Sequence, residues 1–433
     1  LLYIPTKRMF FLMFIWGSFF LSINLNPLDF NTFSFFEKLR ILLPSILVII
    51  FLFLEFKNYK LTNFSNLNYI FFLIIFFLYF YFNIVYPNNF IGNIFWPIYM
   101  FLSLFFLLSL NKIEEINLIF KFTFIILAVA FIFYLAAAII EMINRNNPFF
   151  YGIGRTYVGL ESPPRSSGLS RLSLVICVFL TLRYYIKEKN NNYLYLILIS
   201  LAAFFIFVFQ ARTISFIFYT FIFISIIFNF KKFFYDKKLI IFLFFIPLIL
   251  STFYNYYSVM ERETLRYKDV DNELIYIFKD TLVRDQISSY KNKEDETLKK
   301  INRFSSSRLN NWIEAKKIIQ KNYFKGYGPQ ADRIFIKQSI HNAILYSALS
   351  GSIISALSVV CLYLISIYYF IKIYFFNAYN IINEFEIKLS MNILVVLNLR
   401  SILETSFAIF SIDYLIFIAC FVYLNHLLKK NYS

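Results

Sequence analysis

The sequence predicts an all-α integral membrane protein, with about 12 transmembrane helices and one large, mainly helical outer-side loop between the ninth and tenth spans. Three observations predict it. Of the 433 residues 60% are hydrophobic and only 15% are charged, too little charge to cover a water-exposed surface, for which soluble domains use roughly 25%. The apolar residues fall in runs long enough to cross a bilayer, such as Tyr69 to Val85, Phe122 to Ile140 and Ile340 to Ile371, each bounded by charges or turn residues. Lysine and arginine collect in alternate connections, as they do in the cytoplasmic loops of membrane proteins.

With about 20 residues needed per crossing, spans are expected at 9–25, 38–56, 67–86, 93–110, 119–141, 169–186, 193–210, 212–230, 238–257, 340–371, 388–401 and 405–428. This divides the chain into a membrane segment at 1–257, a loop subdomain at 258–339 and a second membrane segment at 340–433. An N-terminus inside puts Lys7, Arg8, Lys57, Lys60, Lys112, Lys121, Arg183, Lys187, Lys189, Lys231, Lys232, Lys237, Lys238, Lys372, Lys388, Lys429 and Lys430 on the cytoplasmic side. Both termini are therefore expected in the cytoplasm and the long loop outside. No cleavable signal peptide is expected at the start of the chain. The loop carries charges of both signs, which suits a small helical subdomain in water. Topogenic lysine and this loop account for the net charge of +17, so no nucleic-acid partner is expected.

Small residues let membrane helices approach closely. The 9 glycines against 60 phenylalanines therefore predict looser packing filled by aromatic rings, and most Phe and Tyr are expected to face lipid or fill the core. Cys177, Cys361 and Cys420 all fall inside apolar runs, where they build neither a metal-ligand spacing nor a loop disulfide.

Charged residues within or beside spans are costly, which singles out a set of arginines on the outer side. The loop from Gly159 to Arg171 has Pro163 and Pro164 before Arg165, so Arg165 and Arg171 stand at the outer mouth of a helix, as anion ligands or as interfacial anchors. Arg212 lies between two spans with almost no loop. A topogenic charge has no use there, so an anionic ligand or snorkelling to lipid phosphate is expected. After Ser305 to Ser307 an amphipathic helix is expected to start at Arg308, with Trp312 one turn on along the same face. An anion there would meet both the guanidinium fork and the positive helix end. Gly326-Tyr327-Gly328 reads as a turn, followed by His341-Asn342 opening the tenth span; a histidine at a membrane surface beside arginines can accept a proton near neutral pH. Arg400 and Glu404 are four apart and are expected to pair.

In this order, Arg308-x-x-x-Trp312, Gly326-x-Gly328 and His341-Asn342 before a long span resemble the bacterial O-antigen ligase and polymerase family. Arg165 with Gly168 resembles that family's Arg-x-x-Gly element, Arg212 its Ser-Arg-type element, and Arg400 with Glu404 its late Arg-Ser-x-x-Glu element, covering roughly residues 160–405. The chain departs from the pattern at Leu169-Ser170-Arg171-Leu172, where the family often continues into Pro-Asn, and Arg171 is left without a role. The resemblance implies a glycosyltransferase of the bacterial inner membrane that moves a polyprenyl diphosphate-linked glycan to a hydroxyl of lipid A-core, or to a second lipid-linked repeat. It implies that Arg165, Arg212 and Arg308 hold the pyrophosphate and that His341 is the base, with Trp312, Gly326, Gly328, Asn342, Arg400 and Glu404 in support. Arginines at the leaving group need no metal or other cofactor, and Asp269 with Asp271, the nearest Asp-x-Asp spacing, is expected to be solvated. A flippase or transporter of lipid-linked sugars is the reading from another class. Its polar residues would be expected at the membrane midplane rather than crowded on the outer face.

Overall fold

The computed structural model describes residues 6–23, 35–55, 67–86, 91–110, 112–144, 166–186, 193–208, 212–228, 237–254, 256, 308–376 and 384–430. Arg165, Asp269, Asp271, Ser305 to Ser307 and most of the predicted loop lie outside these residues.

The described residues are helical and include no strand. In chain order the helices are α1 (Thr6–Leu21), α2 (Phe35–Glu55), α3 (Ile70–Val85), α4 (Phe95–Ser109), α5 (Ile113–Asn144), α6 (Ser166–Ile186), α7 (Tyr193–Val208) and α8 (Arg212–Phe228). There follow α9 (Lys237–Tyr254), which passes through a π-helical stretch at Ile241–Phe245, and then α10 (Arg308–Lys321) and α11 (Ala331–Phe335). The chain closes with α12 (Ala343–Tyr374), α13 (Glu384–Leu403) and α14 (Ile412–Lys430). Among the described residues Ile113–Phe133, Lys237–Tyr254 and Ala343–Tyr374 are long and apolar enough to cross a membrane; α3, α4, α7, Thr213–Phe223 and Ile412–Leu428 are shorter apolar helices. In lipid every backbone group must find a partner within the chain, and a helix supplies it locally.

The apolar residues divide between a core and an outer shell. α14 is buried on every side, with Tyr414, Leu415, Ile416, Phe417, Ile418, Cys420 and Phe421 all inaccessible, as expected of a central helix. Phe53, Phe77, Phe133, Leu194 and Phe253 point outward instead. An exposed apolar shell of this kind suits a lipid surround. Rings fill the space that small residues leave open elsewhere: Phe407 stacks on Phe417 at 4.0 Å and Phe120 on Tyr423 at 4.7 Å. A few polar struts tie distant helices, including Trp16 Nε1 donating to Thr123 Oγ1 at 2.9 Å and Tyr369 OH donating to Asn425 Oδ1 at 2.9 Å.

α12 is broken near its start, where Gly351 (φ −129°, ψ 18°) and Ser352 (φ 76°, ψ 175°) leave the helical conformation. The freed backbone groups are met by the Gly-Tyr-Gly turn and by Tyr323 just before it. Tyr327 N–H donates to Leu349 O at 2.9 Å, Gly328 N–H donates to Ser350 O at 2.8 Å, and Ile353 N–H donates to Tyr323 O at 2.9 Å. Gly328 has φ 80°, a conformation that glycine adopts without steric cost. At Gly326 the requirement is space: an added Cβ would sit 2.5 Å from Phe82 Cδ2 and 2.6 Å from Ser350 O.

Candidate functional site

α10, α12 and the end of α13 bring Arg308, His341 and Glu404 together, and a carboxylate lies at the centre. Arg308, the first residue of α10, donates from Nη2 to Glu404 Oε1 at 2.8 Å and from Nη1 to Leu403 O at 2.9 Å and Thr213 Oγ1 at 3.1 Å. His341 Nδ1 lies 2.6 Å from the other carboxylate oxygen, Glu404 Oε2. Its side chain is 34% exposed, so the ring remains open to an incoming group.

The expected Arg400–Glu404 pair is not what forms. α13 ends at Leu403, and Glu404 leaves the helix, so the i,i+4 relation that would align the two is lost. Arg400 turns to the buried Asp413 at the start of α14, which also accepts an ion pair from Arg171 Nη1 at 3.2 Å and a hydrogen bond from Ser406 Oγ at 3.1 Å. A buried arginine, Arg400, and a half-buried one, Arg171, thus share one buried carboxylate beside the Arg308–Glu404–His341 group.

The backbone carrying His341 is clamped on both sides. Asp332, buried in α11, accepts from Ile340 N–H through Oδ2 at 3.3 Å and from Arg333 N–H through Oδ1 at 3.0 Å. Trp312 Nε1 donates to Ile340 O at 2.6 Å, and Asn311 Nδ2 donates to Ser339 O at 3.2 Å. On the far side Asn342 caps α12, its Oδ1 accepting from Leu345 N–H at 2.9 Å while its Nδ2 donates to Ile402 O at 2.9 Å. Between these clamps His341 adopts φ 52°. A left-handed conformation at a non-glycine residue costs of order 1–3 kcal/mol and persists only where its surroundings impose it.

The electrostatics follow from burial and charge. Burial alone would raise the Glu404 pKa. The hydrogen bond and charge of His341 with the charges of Arg400 and Arg308 outweigh it and hold the carboxyl at about 2, below its ordinary 4.5. Asp332 shows the opposite balance: burial raises its pKa, against the lowering effect of Arg333 and the backbone donors.

Of the residues singled out from sequence, Arg308, Trp312, His341, Asn342 and Glu404 converge, with Arg400 paired to Asp413 and acting on Glu404 through its charge. Gly326 and Gly328 stand at the α12 break, apart from the carboxylate, and act on the backbone. Arg212 starts α8 next to Thr213, but its side chain, like all of Arg165, lies outside the described residues. Sequence reasoning missed Thr213, Asp332 and Asp413. Asp413 carried a usable signal, an acid embedded in an apolar run, which is costly without a partner. Asp332 carried none, because an acid in a charged loop reads as solvated.

No family model, curated protein or solved structure matches the chain.

Proposed function

We propose that the chain is a multi-pass glycosyltransferase of the bacterial inner membrane, of O-antigen ligase type, transferring a polyprenyl diphosphate-linked glycan to a hydroxyl of lipid A-core at the outer face. On this reading the bundle makes about 12 crossings with both termini in the cytoplasm, and the loop at 258–339 lies in the periplasm. The observation that carries the reading is the Glu404 carboxylate shared by His341 and Arg308. A carboxylate on Nδ1 fixes that nitrogen as the protonated one, which leaves Nε2 with the lone pair a general base needs.

The steps then follow from charge. The acceptor hydroxyl gives its proton to His341 Nε2 as its oxygen forms a bond to the anomeric carbon. The bond from that carbon to the pyrophosphate oxygen breaks, its electron pair leaves with the pyrophosphate, and attack from the opposite face inverts the centre. Negative charge develops on the leaving group, and arginines placed there beforehand stabilise it. Arg308 spends three N–H groups on protein acceptors and a guanidinium has five, so its remaining donors are available to the phosphate. Arg165 and Arg212 complete the proposed grip, and no metal takes part.

The test is transfer in proteoliposomes from a polyprenyl diphosphate glycan, with lipid A-core and a second lipid-linked repeat offered as rival acceptors. A product on lipid A-core is expected. A ladder of repeats would instead make the chain a polymerase. Unaltered donor crossing the bilayer, with no transfer, would refute both in favour of a flippase.

A further inference from the structure

A cleft of about 370 Å³ lies between α5, α6 and α13. Phe124, Phe179 and Leu389 are among its walls, and its charged lining residues are Lys121, Arg183 and Glu386. Glu386 is in the first turn of α13 and Arg400 in the last, about 20 Å apart along the axis at 1.5 Å per residue. The cleft is therefore at the opposite end of the bundle from His341 and is not a part of that site. It opens beside Ile125, which is itself exposed, so its apolar walls are continuous with the apolar exterior.

We propose that this cleft holds one acyl chain of an anionic phospholipid, with the phosphate at Lys121. The walls offer a water molecule almost no polar partner, and apolar cavities of this kind stay dry or take an apolar guest. A lipid tail is such a guest and is present wherever the bundle sits in a bilayer. The charges at the rim select the head. Among the described lining residues Lys121 and Arg183 stand against Glu386, one positive charge in excess, which complements a phosphodiester. Lys121 is placed to meet it: its side chain is 53% exposed, and its Nζ is 3.5 Å from Glu386 Oε1, too long for a strong charged hydrogen bond. The Arg183 guanidinium lies 5.7 Å over the Tyr195 ring, which holds its charge at the same rim. The inference stands independently of the glycan-transfer reading.

The experiment uses the full chain, extracted in a mild detergent and examined by native mass spectrometry. Thermal unfolding is then followed as phosphatidylglycerol or phosphatidylcholine is added back. Wild type is expected to retain a phospholipid and to be stabilised more by phosphatidylglycerol, because a ligand that binds only the folded state raises its stability. Ala128→Phe fills the cleft and is expected to lose the bound lipid, weakening phosphatidylglycerol binding at least tenfold. Lys121→Glu is expected to keep a lipid and lose the preference for the anionic head. If Ala128→Phe does not fold, Leu180→Phe fills the same space. The proposal is overturned if a folded cleft-filling variant binds phosphatidylglycerol like wild type, if wild type does not discriminate the two heads, or if the retained molecule is a polyprenyl phosphate.

Discussion

His341 is bonded through Nδ1 to a carboxylate that also holds Arg308, so at the scale of single residues two substitutions separate base from support. On the proposed glycan-transfer reading, His341→Ala removes the proton acceptor and is expected to lower kcat by about 10²- to 10⁴-fold with the fold intact, measured as single-turnover glycan transfer in proteoliposomes. Glu404→Gln keeps the size of the side chain and removes its charge. Transfer is expected to fall with kcat affected more than KM, because the His341 tautomer is no longer imposed. The same variant has a signature in stability. Glu404 titrates at about 2 in the folded protein against an ordinary 4.5. Its contribution to stability is therefore complete above about pH 4.5 and is lost as the pH falls towards 2. Melting temperature followed across that window is expected to drop less steeply for Glu404→Gln than for wild type. An unchanged acid limb would show that the carboxylate is not held by its cationic neighbours.

The broken start of α12 is the feature of most consequence at the scale of elements. The turn at Gly326 to Gly328 donates two backbone N–H groups to carbonyls that the break exposes, and Gly326 has no room for a methyl group. Gly326→Ala and Gly351→Ala, whose added Cβ would lie 2.8 Å from Ser355 Cβ and Tyr79 Cδ1, are each expected to destabilise by about 1–3 kcal/mol through overpacking. Gly17→Ala in α1 is the control. Its added Cβ would meet its nearest neighbour at an ordinary 3.8 Å, and its melting temperature is expected to hold or rise. α11 acts on the same region through one acid. Asp332→Ala leaves the N–H of Ile340 without its acceptor, which costs about 1–3 kcal/mol when such a group is buried, whereas Arg333 N–H keeps Gln330 O at 2.9 Å. The loss is expected to fall on kcat through His341, which Ile340 precedes. Legibility changes between these two cases. The Gly-x-Gly pattern was visible as a turn, but its partner, a helix interrupted inside a long apolar run, has no periodicity signal of its own. Ala343–Tyr374 reads as one uninterrupted span by hydropathy, and the groups freed at the break are met by a loop distant in sequence that docks against it.

Across the whole molecule the deciding feature is how charge is placed inside an apolar bundle. Asp413 pairs with the buried Arg400 and the half-buried Arg171, and removing one partner of a buried ion pair typically costs about 3–5 kcal/mol, because the remaining charge loses its compensation. Asp413→Asn is expected to lower stability by that order in a detergent melt. Adding Arg171→Met is expected to restore part of it, and additive losses in the double variant would sink the shared-carboxylate account. Outside the core the exposed Phe53, Phe77 and Phe133 require an apolar surround.

Composition and hydropathy by themselves determined the helical, membrane-type character of the chain and where most of its helices lie. The physical reason is that lipid leaves a backbone few alternatives to the helix, and long apolar runs cannot be soluble. The arginines beside apolar runs and His341 were also visible, because charge beside a span has a cost that needs a reason. Which acid answers each of them was decided only by the tertiary structure. Glu404 lies 63 and 96 positions from its partners His341 and Arg308, and its nearest basic neighbour in sequence belongs to Asp413 instead. Pairing in an apolar interior follows distance in space, and that distance is set by how α10, α12, α13 and α14 pack.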